Sequence, residues 1–145
     1  MYRSLVGKLL YLTHSRLDIC FSVSYLSRFL NSPSNVHFTI AKRVVRYIAG
    51  TRNYGLWYSQ GDGGKLEAYS DSNWGGSISD CKSSSGVLLG LGSSVVSWNS
   101  KKQEIVALST IEAEYIAATS ATCQIVWFRR VLQECGVQIK GATPL

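Results

Sequence analysis

A long helical pattern opens with the stretch STIEAEYIAA, residues 109–118, and continues from Thr110 to about Glu134. Small side chains recur on one face of its early turns: Ala113, Ala117, Ala118 and Ala121. A face this small lets a helix lie close against a sheet. Gly136 follows the pattern and suits the left-handed conformation that ends many helices. The stretch therefore predicts one long helix packed on a sheet.

Extended segments lie ahead of this helix. Residues 66–71, 86–91 and 95–98 have strand-like composition, and Gly92-Ser93-Ser94 joins the last two as a hairpin would. Residues 105–108 could extend the third strand. The Gly-rich stretch at 60–64 is the most linker-like part of the chain. It predicts a boundary between a first segment, 1–59, and a second domain, 60–145.

The first segment has the apolar periodicity of three helices, at residues 2–12, 18–29 and 36–49, with Gly50 placed to stop the last. Residues 56–58 could form a short strand. The predicted fold class is α/β in an α+β arrangement, in which a three-helix segment is followed by antiparallel strands and then a long helix.

The net charge of +6 is divided unevenly. Residues 1–59 hold eight Lys or Arg against the single acid Asp18, whereas residues 60–145 hold seven against eight acids. A segment of net charge +7 is a plausible footprint for a nucleic-acid backbone, with Lys42, Arg43 and Arg46 as candidate contacts. The alternative is a solvated surface. An affinity for nucleic acid that does not change with ionic strength would rule out the nucleic-acid interpretation.

Other classes of protein are disfavoured. No apolar run approaches the roughly 18 residues of a membrane span, and the start lacks the pattern of a signal peptide, so we expect a cytoplasmic or nuclear setting without a membrane partner. The four cysteines form no C-x-x-C pair, and Cys20 and Cys123 are expected in the core. His14 and His37 are expected to be structural or surface residues. Nothing implies a small-molecule substrate.

Three carboxylates remain as candidates for chemistry. Asp71 ends the first predicted strand, and Glu112 and Glu114 lie in the first turns of the long helix. Two positions on a helix differ by about 200°, so the glutamates point to nearly opposite faces. Ser109 and Glu112 have capping-box spacing, which leaves Glu114 to look toward the sheet and hold a cation such as Mg²⁺ with Asp71. Alternatively, both glutamates only complement the positive end of the helix.

Several ordered motifs go beyond these generic patterns: YSDSNWGG at 69–76, KSSSG at 82–86, VSWNSKKQ at 96–103, STIEAEY at 109–115 and IVWFRR at 125–130. In this order they closely resemble the RNase H region of copia-type retrotransposon polyproteins. The earlier motifs RSLVGKLLYL at 3–12, RLDI at 16–19 and VVRYIAGT at 44–51 resemble the end of the reverse transcriptase and its connection to RNase H.

The resemblance implies Mg²⁺-dependent hydrolysis of RNA in RNA–DNA hybrids, with two ions per complete domain and the rest of the Pol polyprotein as partner. Asp71 matches the first metal-binding Asp of that family and Glu114 matches the metal-binding Glu of its long helix. Lys101 and Lys102 match positions that could approach a nucleic-acid backbone, although a solvated pair fits equally well.

The family pattern includes two further carboxylates, the first on a strand after the long helix, and this chain ends where that strand would begin. Asn73 also stands where an acid is common in the family, and Leu17 where a Pro is common. We therefore expect an incomplete RNase H-like fold and no cleavage by the isolated chain. The alternatives are a non-catalytic nucleic-acid-binding module and a degenerate remnant of the element.

Overall fold

The computed structural model describes residues 1–59, 64–77 and 79–145. Within these ranges the chain contains four α-helices and one three-stranded antiparallel sheet, so the predicted α+β mixture is confirmed. The chain divides into two compact units, Met1–Leu56 and Trp57–Leu145. The predicted linker at 60–64 lies outside the described residues except for Gly64. No helix in the described ranges is both long and apolar enough to cross a bilayer.

The first unit is helical. Helix α1 spans Tyr2–Leu12, a 3₁₀ turn spans Leu17–Ile19, α2 spans Cys20–Ser27 and α3 spans Asn35–Gly50. The apolar faces that the periodicity predicted meet in one core, whose most buried members are Val6, Val23, Leu26 and Ala41. The second predicted helix differs at both ends, because it begins as the 3₁₀ turn and stops at Ser27.

His37 has the structural role that was expected of it. The Ser34 hydroxyl accepts the His37 backbone N–H, and the Ser34 N–H is donated to His37 Nδ1 at 3.0 Å. This reciprocal capping fixes the start of α3. The His37 ring also stacks on Phe29 at 3.8 Å between centroids. His14 lies exposed at the end of α1, near the Tyr11 carbonyl.

A partly buried ion pair joins the 3₁₀ turn to the end of α3. The Arg16 guanidinium donates to both carboxylate oxygens of Asp18, at 2.9 and 2.7 Å. It also donates to the carbonyl and the hydroxyl of Thr51, at 3.0 and 2.6 Å, and lies between the rings of Tyr47 and Tyr54. One side chain therefore ties together segments 35 residues apart in sequence.

The second unit is a sheet covered on one face by a helix. Strands β1 (Leu66–Asn73), β2 (Ser84–Leu91) and β3 (Ser94–Lys102) pair in the order β1-β2-β3, and α4 spans Thr110–Glu134. Gly92, with φ +62°, makes the tight hairpin turn possible. The core consists of Leu66, Ala68, Val87, Leu89, Ala121 and Ile125.

Helix α4 ends as its sequence predicts. The N–H of Gly136, with φ +80°, is donated to the Gln133 carbonyl, and the N–H of Val137 is donated to the Leu132 carbonyl. These two bonds form a Schellman motif. The tail beyond then returns to β1, where the Ala68 N–H is donated to the Pro144 carbonyl at 3.0 Å. The last described residues therefore lie along the outer edge of β1.

Three predictions from the sequence were wrong. Residues 56–58 are not a strand, since Trp57 and Tyr58 are largely exposed and have no sheet neighbour among the described residues. Residues 105–108 do not extend β3, because β2 begins at Ser84 and offers no further partner beyond the bond from Gln103 N–H to the Ser83 carbonyl. Cys123 is exposed, because the buried stripe of α4 passes through Ala121 and Ile125 instead.

Candidate functional site

Asp71 lies near the end of β1 on the sheet face away from α4. Side chains alternate along a strand, and Leu66 and Ala68 are buried beneath the helix, so Asp71 points to the opposite face. It is exposed and stands opposite Gly86, which in turn pairs with Ser100. Its carboxylate has no hydrogen-bond or ion-pair partner among the described residues. The carboxylate is therefore free to bind a ligand.

The two glutamates at the start of α4 have different roles. Glu112 accepts the Leu108 N–H at 2.6 Å, and its own N–H is donated to the Ser109 hydroxyl at 3.1 Å. The predicted capping role is thus confirmed, although the glutamate reaches Leu108 rather than Ser109. Glu114 is exposed and unpaired within the described residues, so it lies at the rim of the buried alanine face rather than against the sheet.

The beginning of α4 is held at the same end of the sheet as Asp71. The Gln103 amide Nε2 donates to the Ser85 hydroxyl and to the Ala113 carbonyl, both at 2.9 Å. Ser85 pairs with Ser72 across β1 and β2, and Ala113 precedes Glu114. Further along, Ala121 and Ile125 pack on Leu66 and Ala68 near the start of β1. Helix and strand therefore run in opposite directions, with both candidate carboxylates at one end.

The oxygen donors available suit a hard cation. Mg²⁺ commonly binds one or two protein carboxylates and retains waters, which matches Asp71 and Glu114. Within the described ranges no group of three His, Cys, Asp or Glu side chains could hold a metal. Two Mg²⁺ ions need more ligands than two carboxylates, because further groups must bridge and flank them.

The two lysines at the end of β3 are engaged in ion pairs. Lys102 Nζ lies 2.6 Å from an Asp80 carboxylate oxygen, and Lys101 Nζ lies 3.1 Å from Glu104. The second pair is largely exposed and contributes little. The Lys102 ammonium, helped by the Ser77 hydroxyl, lowers the pKa of Asp80 to about 2. Contact of Lys102 with a phosphate would therefore have to compete with Asp80.

Replacing Lys102 by methionine is expected to raise the pKa of Asp80 from about 2 part of the way toward an ordinary value of about 3.9, since the Ser77 bond remains. The pKa of Asp80 is lower in the folded state than in the unfolded state, so its pair with Lys102 stabilises the fold at pH values above the unfolded-state pKa. This contribution disappears as the pH falls through about 2. Carboxyl NMR titration measures the change. Lys101→Met is the control and should leave Asp80 unchanged; an equal shift in both variants would contradict the assignment.

The candidate phosphate contacts of the first unit lie on α3. Lys42, Arg43 and Arg46 are exposed, and none forms an ion pair with another described residue. Lys42 Nζ lies 4.6 Å from the centre of the Phe38 ring. Arg43 borders an open cavity of about 520 Å³ that Asp18 and Tyr47 also line. These three cations remain available for an anionic partner.

Comparison with known proteins shows which family the chain belongs to. It is 39% identical over 138 residues, 95% of its length, to the retrovirus-related Pol polyprotein from transposon RE1 of Arabidopsis thaliana. It is 41% identical over 140 residues, 96% of its length, to that from transposon TNT 1-94 of Nicotiana tabacum. The chain belongs to the copia-type, retrovirus-related transposon Pol polyproteins. It spans only about a tenth of the length of these Pol relatives.

A shorter relative covers nearly the same region as this Pol segment. Secreted RxLR effector protein 161 of Plasmopara viticola is 42% identical over 127 residues, which are 87% of this chain and 89% of that protein. No family model matches the chain. No solved structure matches it either.

Two residues that organise this Pol segment escaped the sequence analysis. Gln103 and Arg16 are 6% exposed and polar, and each bridges elements distant in sequence. The sequence contains only a weak signal for these two roles. Each is a long polar side chain next to a predicted element boundary, where a solvated residue would be equally common.

Proposed function

We propose that residues 57–145 form the first part of an RNase H domain that, within a Pol polyprotein, hydrolyses the RNA strand of RNA–DNA hybrids. One observation carries the proposal: the Gln103 bridge holds the exposed carboxylates of Asp71 and Glu114 at the same end of the sheet and helix. Such a pair suits Mg²⁺, and the membership in the Pol family supports the choice of substrate.

Each residue has a stated role in this proposal. Asp71 and Glu114 supply oxygen ligands from rigid elements, a strand and a helix, while Glu112 only caps the helix. When bound, Mg²⁺ ions lower the pKa of water and stabilise charge on the leaving oxygen. The remaining carboxylates of the site would come from other parts of the polyprotein. The tail beside β1 lies where a further strand could pair, since Ala68 already bonds to Pro144.

The first unit would be the end of the reverse transcriptase and its connection to RNase H. A second candidate function, contact with a nucleic-acid backbone, is favoured by the exposed cations Lys42, Arg43 and Arg46 on α3. Removing all three should weaken binding to hybrid and flatten its salt dependence. Binding unaltered by this triple substitution would exclude α3 as the contact.

The test of the main proposal uses this chain followed by the segment that comes next in the transposon RE1 Pol polyprotein. With Mg²⁺ this chimera should cut the labelled RNA of a hybrid and leave the DNA strand intact. The chain without the added segment should not cut. Asp71→Asn should reduce cleavage by the chimera to background. Cleavage that survives this substitution would contradict the proposal.

A further inference from the structure

The carboxylate of Asp80 lies in a cradle of three hydrogen-bond donors at one end of the sheet. Lys102 Nζ lies 2.6 Å from one carboxylate oxygen, and the backbone N–H of Lys82 is donated to the other oxygen at 3.4 Å. The hydroxyl of Ser77, a residue only 8% exposed, donates to the same carboxylate. An ammonium, an amide N–H and a hydroxyl are donors that proteins use to bind phosphate oxygens. The donor cradle therefore suits an anion, and Asp80 occupies it.

Asp80 occupies the donor cradle without being enclosed. Its side chain is 39% exposed, and that of Lys102 is 26% exposed. Water reaches both charges, so their attraction is screened and the ion pair opens at small cost. The pKa of Asp80 is about 2, so the carboxylate stays charged near neutral pH and protonation does not release Lys102 there. A second anion that displaces the Asp80 carboxylate would gain all three donors.

The register of the sheet places the donor cradle near Asp71. Lys102 follows Ser100 by two positions, and Ser100 shares a cross-strand row with Gly86 and Asp71. Because residues two positions apart lie on the same side of a strand, Lys102 and Asp71 share the sheet face away from α4. Two residues along and two strands across correspond to about 12 Å between their backbone positions. Gly86 adds no side chain to this surface, and the space above it is open to 4 Å.

We propose that the donor cradle binds a phosphodiester group of a nucleic-acid strand that crosses the sheet near Asp71, and that Asp80 is an internal competitor for the same donors. The inference rests on the proposed function for the identity of the ligand. It adds a binding site formed by the loop at 74–83 and the end of β3. It also adds a contact that keeps this site closed in the free protein.

The test measures binding of a fluorescently labelled RNA–DNA hybrid to the full chain, as anisotropy over a range of salt concentrations and with EDTA present. Asp80→Asn keeps the size of the side chain and removes its charge, so it should lower the dissociation constant roughly fivefold. One additional neutralised phosphate should steepen the salt dependence of log Kd by about 0.9. Adding Lys102→Met to Asp80→Asn should remove both gains. Circular dichroism checks that each variant is folded.

Two controls separate this site from a change in net charge. Glu104→Gln removes one negative charge from the neighbouring ion pair with Lys101, which the alternation of β3 places on the opposite face of the sheet. It should change the affinity by less than about twofold, since that pair is largely exposed. Adding Lys101→Met to Asp80→Asn should leave the gain in place. No gain from Asp80→Asn, or an equal gain from Glu104→Gln, would overturn the proposal.

Inorganic phosphate distinguishes a nucleic-acid site from a general anion site. In the Asp80→Asn chain, hybrid should shift the amide NMR signal of Lys82, and inorganic phosphate at an equal concentration of phosphate groups should leave it in place. An equal shift with inorganic phosphate would mean that the cradle binds free phosphate, and the assignment to nucleic acid would be wrong. Binding in EDTA requires neither metal nor cleavage, so this outcome is separate from the Asp71→Asn cleavage test of the proposed function.

Discussion

Glu114→Gln is expected to reduce hybrid cleavage by the RE1 chimera to background, whereas Glu112→Gln is expected to leave it nearly unchanged. The two changes are chemically identical and lie two residues apart. They differ because Glu114 is unpaired and exposed among the described residues, while Glu112 is already engaged by the Leu108 N–H at 2.6 Å. The side chain of Glu112→Gln can still accept that hydrogen bond. The substitution should therefore lower the free energy of unfolding by only about 0.5 kcal/mol, the charge–dipole contribution of the carboxylate.

Single-turnover cleavage of labelled hybrid measures the first effect, and thermal unfolding measures the second. Glu112→Gln is the control for Glu114→Gln, since both remove one negative charge from the start of α4. Equal loss of cleavage in the two variants would mean that the charge of the helix terminus matters and not a ligand at position 114.

Replacing Arg16 by methionine is expected to cost the first unit about 3 kcal/mol, a large share of the stability of a small domain. Methionine fills part of the space but leaves the Asp18 carboxylate and the Thr51 carbonyl without their partner. The side chain of Arg16 is 7% exposed and that of Asp18 is 30% exposed, so water offsets the loss only in part. Arg52→Met removes an exposed cation near the end of α3 and should have little effect.

Urea unfolding followed at 222 nm measures the change in the helical unit. All four tryptophans lie in residues 57–145, so their fluorescence reports the second unit and should not change. Hydrogen bonding to Arg16 lowers the pKa of Asp18, so the pair stabilises the fold above an unfolded-state pKa of about 3.9 and fails as pH falls through the lower folded value. A loss below about 1 kcal/mol, or one equal to that of Arg52→Met, would contradict this role.

Local patterns sufficed for much of the fold. Periodicity located α1, the strand composition around Gly92 located the β2–β3 hairpin, and Gly136 marked the end of α4. These features depend on residues a few positions apart, which is the range over which helical rotation and turn chemistry act. The rotation of successive residues around a helix also predicted different roles for Glu112 and Glu114 without any tertiary information.

Long-range contacts account for what could not be predicted. Gln103 acquires its role from Ser85 and Ala113, and Arg16 acquires its role from Thr51, 35 residues away. The apolar run at 105–108 has strand propensity, but that propensity does not reveal that β2 offers no partner there. Likewise, no local pattern pairs Lys102 with Asp80, 22 residues earlier.

The central proposal is that Asp71 and Glu114 belong to the same cation-binding end of the domain, and paramagnetic broadening of NMR signals by Mn²⁺ tests it most directly. At low Mn²⁺ concentrations, amide signals near the end of β1 and in the first turns of α4 should broaden together, and Asp71→Asn should abolish the effect at both places. Broadening centred on Asp80 or Glu104 instead, or broadening around Glu114 that persists in Asp71→Asn, would contradict a shared site.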